Sequence, residues 1–392
     1  MKDILRMKSS KDTRLHFLWK DERMSEKKKK IRQIAPGLLF FAFFGSIGFF
    51  GAYFGADFFN LTSYWNLFFI VIVVFISFPI HVILHELGHI LGGFASGYRF
   101  IMFRLFGTVW IKTDQGISKR KEYVPGIMGQ ALMIPPETNE HDEPPFLLYH
   151  MSGLLMNIFT AVLFVVLGKV LSIKFITYFL YISAFTAVLL AVTSAIPLRG
   201  TDGYNIAQHF KHEATLTEIT DILYMYSDMV KGASLEELQK YVDLDTFTNF
   251  KNPNAATIYS LRASYLFERK DYEGACEIYE LLYENLEDLF EGHRPIIIVN
   301  YLYALLLTDP RDSEISKIIQ SKPYKQFQKI KQSDYIRIYA AKSLYYDQDL
   351  VTTEILLNEG EKYIHLSPTL TDENFEETMY QYLREDLKAA GK

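Results

Sequence analysis

The stretch Phe75-Ile76-Ser77-Phe78-Pro79-Ile80-His81-Val82-Ile83-Leu84-His85-Glu86-Leu87-Gly88-His89-Ile90-Leu91-Gly92-Gly93 sets the architecture. It extends an apolar run that starts at Leu67 and carries no charge up to Ile80, then places two histidines and a glutamate in the same helix. A bilayer takes about 20 apolar residues as helix, and a soluble helix would show a polar face here. Histidines four apart lie on one helix face, so both imidazoles can reach one metal ion. Glu86, next to the first, can accept a proton from water on that ion. Ionisable groups at the end of a membrane helix are costly unless paired or bound to metal. An ordinary helix end, with Glu86 and His89 meeting headgroups, leaves the spacing unexplained.

Outward from this segment, three more apolar runs are long enough to span: about 36–54, 146–167 and 175–197, with the quoted segment starting near Trp65. Short connections, around Asn60 and Thr62 and from Gly168 to Lys174, predict antiparallel neighbours. The mean hydropathy of +0.04 is therefore an average over unlike parts. Residues 1–34 carry twelve Lys/Arg against five Asp/Glu, whereas residues 201–392 carry twenty against thirty-three. Beside an apolar run the basic arm reads as a topogenic signal and not as a nucleic-acid-binding tail, and no cleavable signal peptide is expected. Positive charge then keeps the arm in the cytosol, and four spans return the C-terminus to the same side. Lys169 and Lys174 face outside on this scheme, a minor dissent. The hydrophobic share, 49%, excludes a disordered chain, and a single cysteine, Cys276, excludes a disulfide scaffold.

Between the second and third spans, Tyr98 to Ile111 is apolar, with turn signals at Gly107 and Asp114-Gln115-Gly116. This predicts a strand-turn-strand unit at the membrane surface, and Pro125-Gly126, Gly129 and Pro135-Pro136 then break any long helix. After Gly203 the composition is that of a soluble helical domain. Ala263, Leu266, Tyr272, Ala275 and Tyr279 have the spacing of a tetratricopeptide-like helix hairpin, and a poorer pair runs from Tyr335 to Leu356. An α-solenoid is expected; a generic helical bundle is the plainer alternative.

A metal site needs a third ligand and an open position. No Asp or Glu occurs from Phe146 to Pro197, and the first afterwards is Asp202, just past the fourth span at the end where His85 and His89 lie. Taken alone, Asp202-Gly203 would be a turn. His81, one turn before His85, reads as a plain helix residue or a group behind the ligands. Cys276 reads as core.

An HExxH in a membrane helix, followed two spans later by Pro197 and Asp202-Gly203, resembles the site-2 protease family of intramembrane zinc metalloproteases over about residues 65–206. The resemblance implies one zinc ion held by His85, His89 and Asp202, with Glu86 as general base. Gly153-Leu154-Leu155-Met156-Asn157 matches the family's Gly-x-x-x-Asn, which implies that Asn157 positions substrate or the tetrahedral intermediate. The family often has Asn three residues before the proline; here Ser194 stands there, a smaller hydroxyl that can still hold unwound substrate. No PDZ-like region is inserted.

The expectation is thus an all-α membrane protein of about four transmembrane helices with a small membrane-surface β-hairpin and a cytosolic α-solenoid-like domain. Its parts are a basic cytosolic arm at 1–34, a transmembrane metalloprotease core at 35–206 and a cytosolic helical domain at 207–392. It would sit multi-pass in the cell membrane, a bacterial plasma membrane by its compactness, with both termini cytosolic. Its partners would be the lipid bilayer, membrane-protein substrates with a transmembrane segment and a protein on the C-terminal domain, but no nucleic acid. Substrate would unwind and add as a strand to the 98–125 loop. The competing reading of the same features is a catalytically inactive membrane adaptor that binds partners through its helical domain.

Overall fold

The computed structural model describes residues 64–113, 116–121, 127–136, 145–171, 173–198, 200–210, 213–242 and 249–391. The basic arm, the expected span at 36–54, the turn at Asn60 and Thr62, and Pro125-Gly126 lie outside the described residues. Among the described residues, three helices are long and apolar enough to cross a membrane. They are α1 (Tyr64–Ala95), α2 (Phe146–Leu171) and α3 (Lys174–Ala195).

Their surface is inverted relative to that of a soluble bundle. Phe75, Phe159, Val162 and Phe175 point outward, while Ser77, His81, Asn157, Ser183 and Thr186 are buried. That distribution suits an apolar solvent, where helices associate through small residues and internal polar contacts. The α2–α3 hairpin closes on Ala161, Ala184 and Ala187. Gly88 and Gly92 let α1 come so close to α2 that a Cβ on either would collide with Ser152.

The expected hairpin at 98–125 is part of a larger element, a four-stranded antiparallel sheet. Its strands are β1 (Arg99–Leu105), β2 (Thr108–Thr113), β3 (Gly116–Lys121) and β4 (Gly129–Ile134), in the order β3-β2-β1-β4. Phe106 and Gly107 turn β1 into β2, both with positive φ, as a two-residue turn matched to strand twist requires. The fourth strand fills the short gap between Gly129 and Pro135, where breakers alone had been read. Pairing to β1, from Arg99↔Ile134 to Leu105↔Gly129, is what makes it a strand. One set of side chains (Met133, with Tyr98) packs on Tyr149 of α2 and Ile90 of α1. Another (Ile111, Val109, Ile134) packs on Val230 of α5 (Glu213–Val230), and α4 (Asp202–His209) precedes that helix. Helix α4 crosses the 206/207 boundary drawn from composition.

The remainder is helical. Helices α6 (Ala255–Glu268) and α7 (Tyr272–Glu284) form the expected hairpin, with Ala263, Ala275 and Tyr279 buried. Asp271 caps α7 by accepting from the Gly274 N–H. Next come α8 (Arg294–Thr308), α9 (Ser313–Gln320), α10 (Lys322–Phe327) and α11 (Ser333–Ala341). A π-turn at Lys342–Tyr346 leads to α12 (Leu350–Gly360), and α13 (Leu370–Ala390) closes the chain. Helices α11 and α12 pack together, at the second pair read from the sequence. Tyr303, Phe327, Leu282 and Tyr380 lie in one continuous core.

Candidate metal centre

His85, His89 and Asp202 offer one donor atom each within 4.8 Å of one another, a group that can hold a metal ion. His85 Nε2 and His89 Nε2 stand 3.2 Å apart, His85 Nε2 and Asp202 Oδ2 2.9 Å, and His89 Nε2 and Asp202 Oδ1 3.3 Å. Tetrahedral ligands about 2.0–2.1 Å from zinc are themselves about 3.3 Å apart. Two neutral imidazoles and one carboxylate at that spacing fit such an ion and leave a fourth position open. The side chains are 12%, 7% and 15% exposed, so the site is sheltered yet reachable.

The backs of both imidazoles are held. His89 Nδ1–H donates to the Tyr149 carbonyl at 2.8 Å, which fixes the tautomer whose Nε2 lone pair faces the site. His85 Nδ1 meets the Asn157 amide at 3.1 Å, and Asn157 Oδ1 has no partner. A half-turn of that amide lets Oδ1 accept Nδ1–H, the tautomer that frees His85 Nε2 for a ligand role. Asn157 thus touches a ligand residue. Gly153 faces the Nε2 atoms themselves: a Cβ there would stand 2.4 Å from His89 Nε2 and 2.8 Å from His85 Nε2. The glycine keeps open the space where these donors converge.

Asp202 begins α4. Gly200 (φ +90°) turns the chain, and Thr201 caps the helix by accepting from the Tyr204 N–H. Gly203 is required by packing, since a Cβ would lie 2.1 Å from the Ala195 carbonyl oxygen at the end of α3. The Asp-Gly pair is therefore a helix start pressed against the end of α3. Burial pushes the Asp202 carboxyl up, but the two imidazoles outweigh it and hold the group well below the usual carboxylate range.

Glu86 is buried beside β4. It accepts from the Ala131 N–H, and a Cβ on Gly129 would reach its Oε1 at 2.8 Å. The Ala131 carbonyl accepts from Tyr149 O–H at 2.6 Å. The strand at the site is thus β4; β1 and β2, which carry Phe103 and Val109, are interior to the sheet.

Ser194 is half-buried in the last turn of α3 and makes none of the contacts that tie Asn157 to His85. His81 Nε2 meets Ser183 Oγ at 3.1 Å and so links α1 to α3. Cys276 accepts from Thr308 O–H within the helical core, and burial pushes its thiol up. The sequence reading missed Tyr149, Gly153 as a spacer, Gly88 and Gly92, and β4. Only the Gly-x-x-x-Gly of Gly88 and Gly92 has a sequence signal of its own. Comparison of the chain with protein-family models, curated proteins and solved structures finds no match.

Proposed function

We propose that this protein is an intramembrane zinc endopeptidase that cleaves transmembrane segments of membrane-bound regulators or signal-peptide-like substrates. The observation that carries the reading is the convergence of His85, His89 and Asp202 at ligand spacing, with Glu86 buried beside them on an apolar helix. Zinc held by His85, His89 and Asp202 would supply Lewis acidity for activating water and polarising a carbonyl. Glu86 takes the proton from the attacking water and returns it to the leaving amine, held for that exchange by the Ala131 N–H. Asn157 keeps the His85 ring in its ligand orientation. Ser194 is assigned to holding unwound substrate. A substrate segment unwinds and adds as a strand to the 98–125 loop.

In this reading the chain is multi-pass in the cell membrane, with a basic cytosolic arm at 1–34, a core at 35–206 and a cytosolic solenoid-like domain at 207–392 that captures partners. The inverted surface of the three described helices supports the membrane placement. Zinc analysis of the purified chain tests the site: one ion per chain is expected, retained in Glu86→Gln and lost in Asp202→Ala. Full-affinity zinc in Asp202→Ala removes the assignment. An inactive adaptor predicts that Glu86→Gln changes nothing in cells.

A further inference from the structure

A cavity of about 740 Å³ lies between the sheet, the first turns of α2 and α4, helix α5 and the start of the helical domain. Tyr149 and His150 of α2 and Asn205 of α4 form part of its wall. The carbonyl of the same Tyr149 accepts from His89, and Asn205 follows Asp202 by three residues, less than one helical turn. The cavity therefore begins within one turn of the metal-ligating group on two separate helices.

Its chemistry differs from that of the domain around it. Residues 201–392 carry thirty-three acidic side chains, whereas among the described residues the charged groups of the cavity lining are Arg104 and Lys251. Lys251 is exposed. Gln130, Asn205, Gln208, Asn249, Asn252 and Asn254 add six carboxamides, a group type that complements a peptide backbone; the oxygens of Gln130, Asn249 and Asn252 already accept from Arg104, the Lys251 N–H and the Asn254 N–H. His150, 7% exposed, has its Nε2 without a partner, while Asn205 Nδ2 stands 3.4 Å from its Nδ1. In either tautomer of His150, Nε2 is a buried polar atom without a partner. A buried polar group of this kind costs about 1–3 kcal/mol if left unmet, so it marks a place where a ligand's polar group belongs. His293, also in the lining, has an unpartnered ring nitrogen too.

We propose that this cavity binds an extended peptide bearing a carboxylate: the soluble flank of a substrate or of its cleavage product. The carboxamides and His150 meet the backbone, and Arg104 and Lys251 draw the anionic group. The volume falls within the usual range for a ligand site, about 300–1,000 Å³. This inference rests on the protease reading for the origin of the peptide, but binding itself requires no catalysis. The carboxylate has two sources, an acidic side chain or the C-terminus that cleavage creates.

The test uses the full chain in nanodiscs, in the Glu86→Gln form, and three fluorescent Gly/Ser/Asn octapeptides read by anisotropy. One has an internal Asp and an amidated end, one has a free C-terminal carboxylate and no acidic side chain, and one is neutral and amidated. At least tenfold tighter binding of the first or the second over the neutral peptide is expected, and whichever prevails identifies the source. Lys251→Glu and the cavity-filling Thr257→Trp should each reduce that binding at least tenfold. Equal binding of all three peptides, no binding, or binding indifferent to both substitutions overturns the proposal. Zinc content and the processing seen with Glu86 restored are measured in parallel. If those are intact while carboxylate-dependent binding is absent, this inference fails alone; if binding persists without zinc or processing, the protease reading fails instead.

Discussion

Gly153→Ala perturbs the metal centre by a single methyl group. The added Cβ would stand 2.4 Å from His89 Nε2 and 2.8 Å from His85 Nε2, where ordinary contact begins at 3.4 Å. One imidazole must retreat by about 1.0 Å and the other by about 0.6 Å, against a tolerance of about 0.2 Å in zinc–ligand distances. His89 cannot retreat freely, because its Nδ1 is bonded to the Tyr149 carbonyl at 2.8 Å. The same holds for His85 against Asn157. Displacing both ligands should exceed the usual effect of an outer-shell change, so at least about a 100-fold loss of zinc affinity is expected, or about 2.7 kcal/mol. Chelator competition on the purified protein measures it, and the melting temperature of the metal-free forms separates metal loss from misfolding. Zinc affinity within threefold of wild type in a folded Gly153→Ala protein would refute the reasoning.

Two further outcomes follow from particular contacts. Ala131→Pro removes the N–H given to Glu86, and because Ala131 also turns its carbonyl to Tyr149 the β1 ladder should survive. Zinc content should stay at one per chain while turnover falls at least about tenfold; unchanged turnover counts against the role given to that N–H. In the helical domain, burial, with Glu376 nearby, pushes the Asp334 carboxyl from 3.8 up to about 7. Between those values the folded chain keeps a proton that the unfolded chain has released, so stability falls as pH rises through the window. Asp334→Asn should flatten that fall in melting temperature between about pH 4 and about pH 7, and an unaltered slope would contradict it.

Local periodicity carried most of what could be read in advance. Two histidines at i and i+4, the apolar runs and the Ala263–Ala275–Tyr279 spacing each belong to one or two helices, so their geometry follows from 3.6 residues per turn. Asp202 was found through chain topology, since its distance from His85 in sequence is 117 residues but both lie at corresponding helix ends. The sheet was harder to read. β4 is a six-residue segment between breakers, and only pairing to β1, some 30 residues earlier, makes it a strand. Tyr149 holds His89 through its backbone carbonyl, which any residue type possesses, so that contact leaves no trace in the sequence. The cavity is a product of how α2, α4, α5 and the helical domain meet, and no single motif encodes it.

The central claim is that Glu86, beside a zinc held by His85, His89 and Asp202, cuts peptide bonds within membrane segments. Mass spectrometry of new termini in membranes from cells making the wild-type chain or Glu86→Gln tests it most directly. The account predicts termini that fall inside apolar segments of about 20 residues and that vanish with Glu86→Gln. Identical sets of termini in the two membranes, with zinc bound in both, would contradict it.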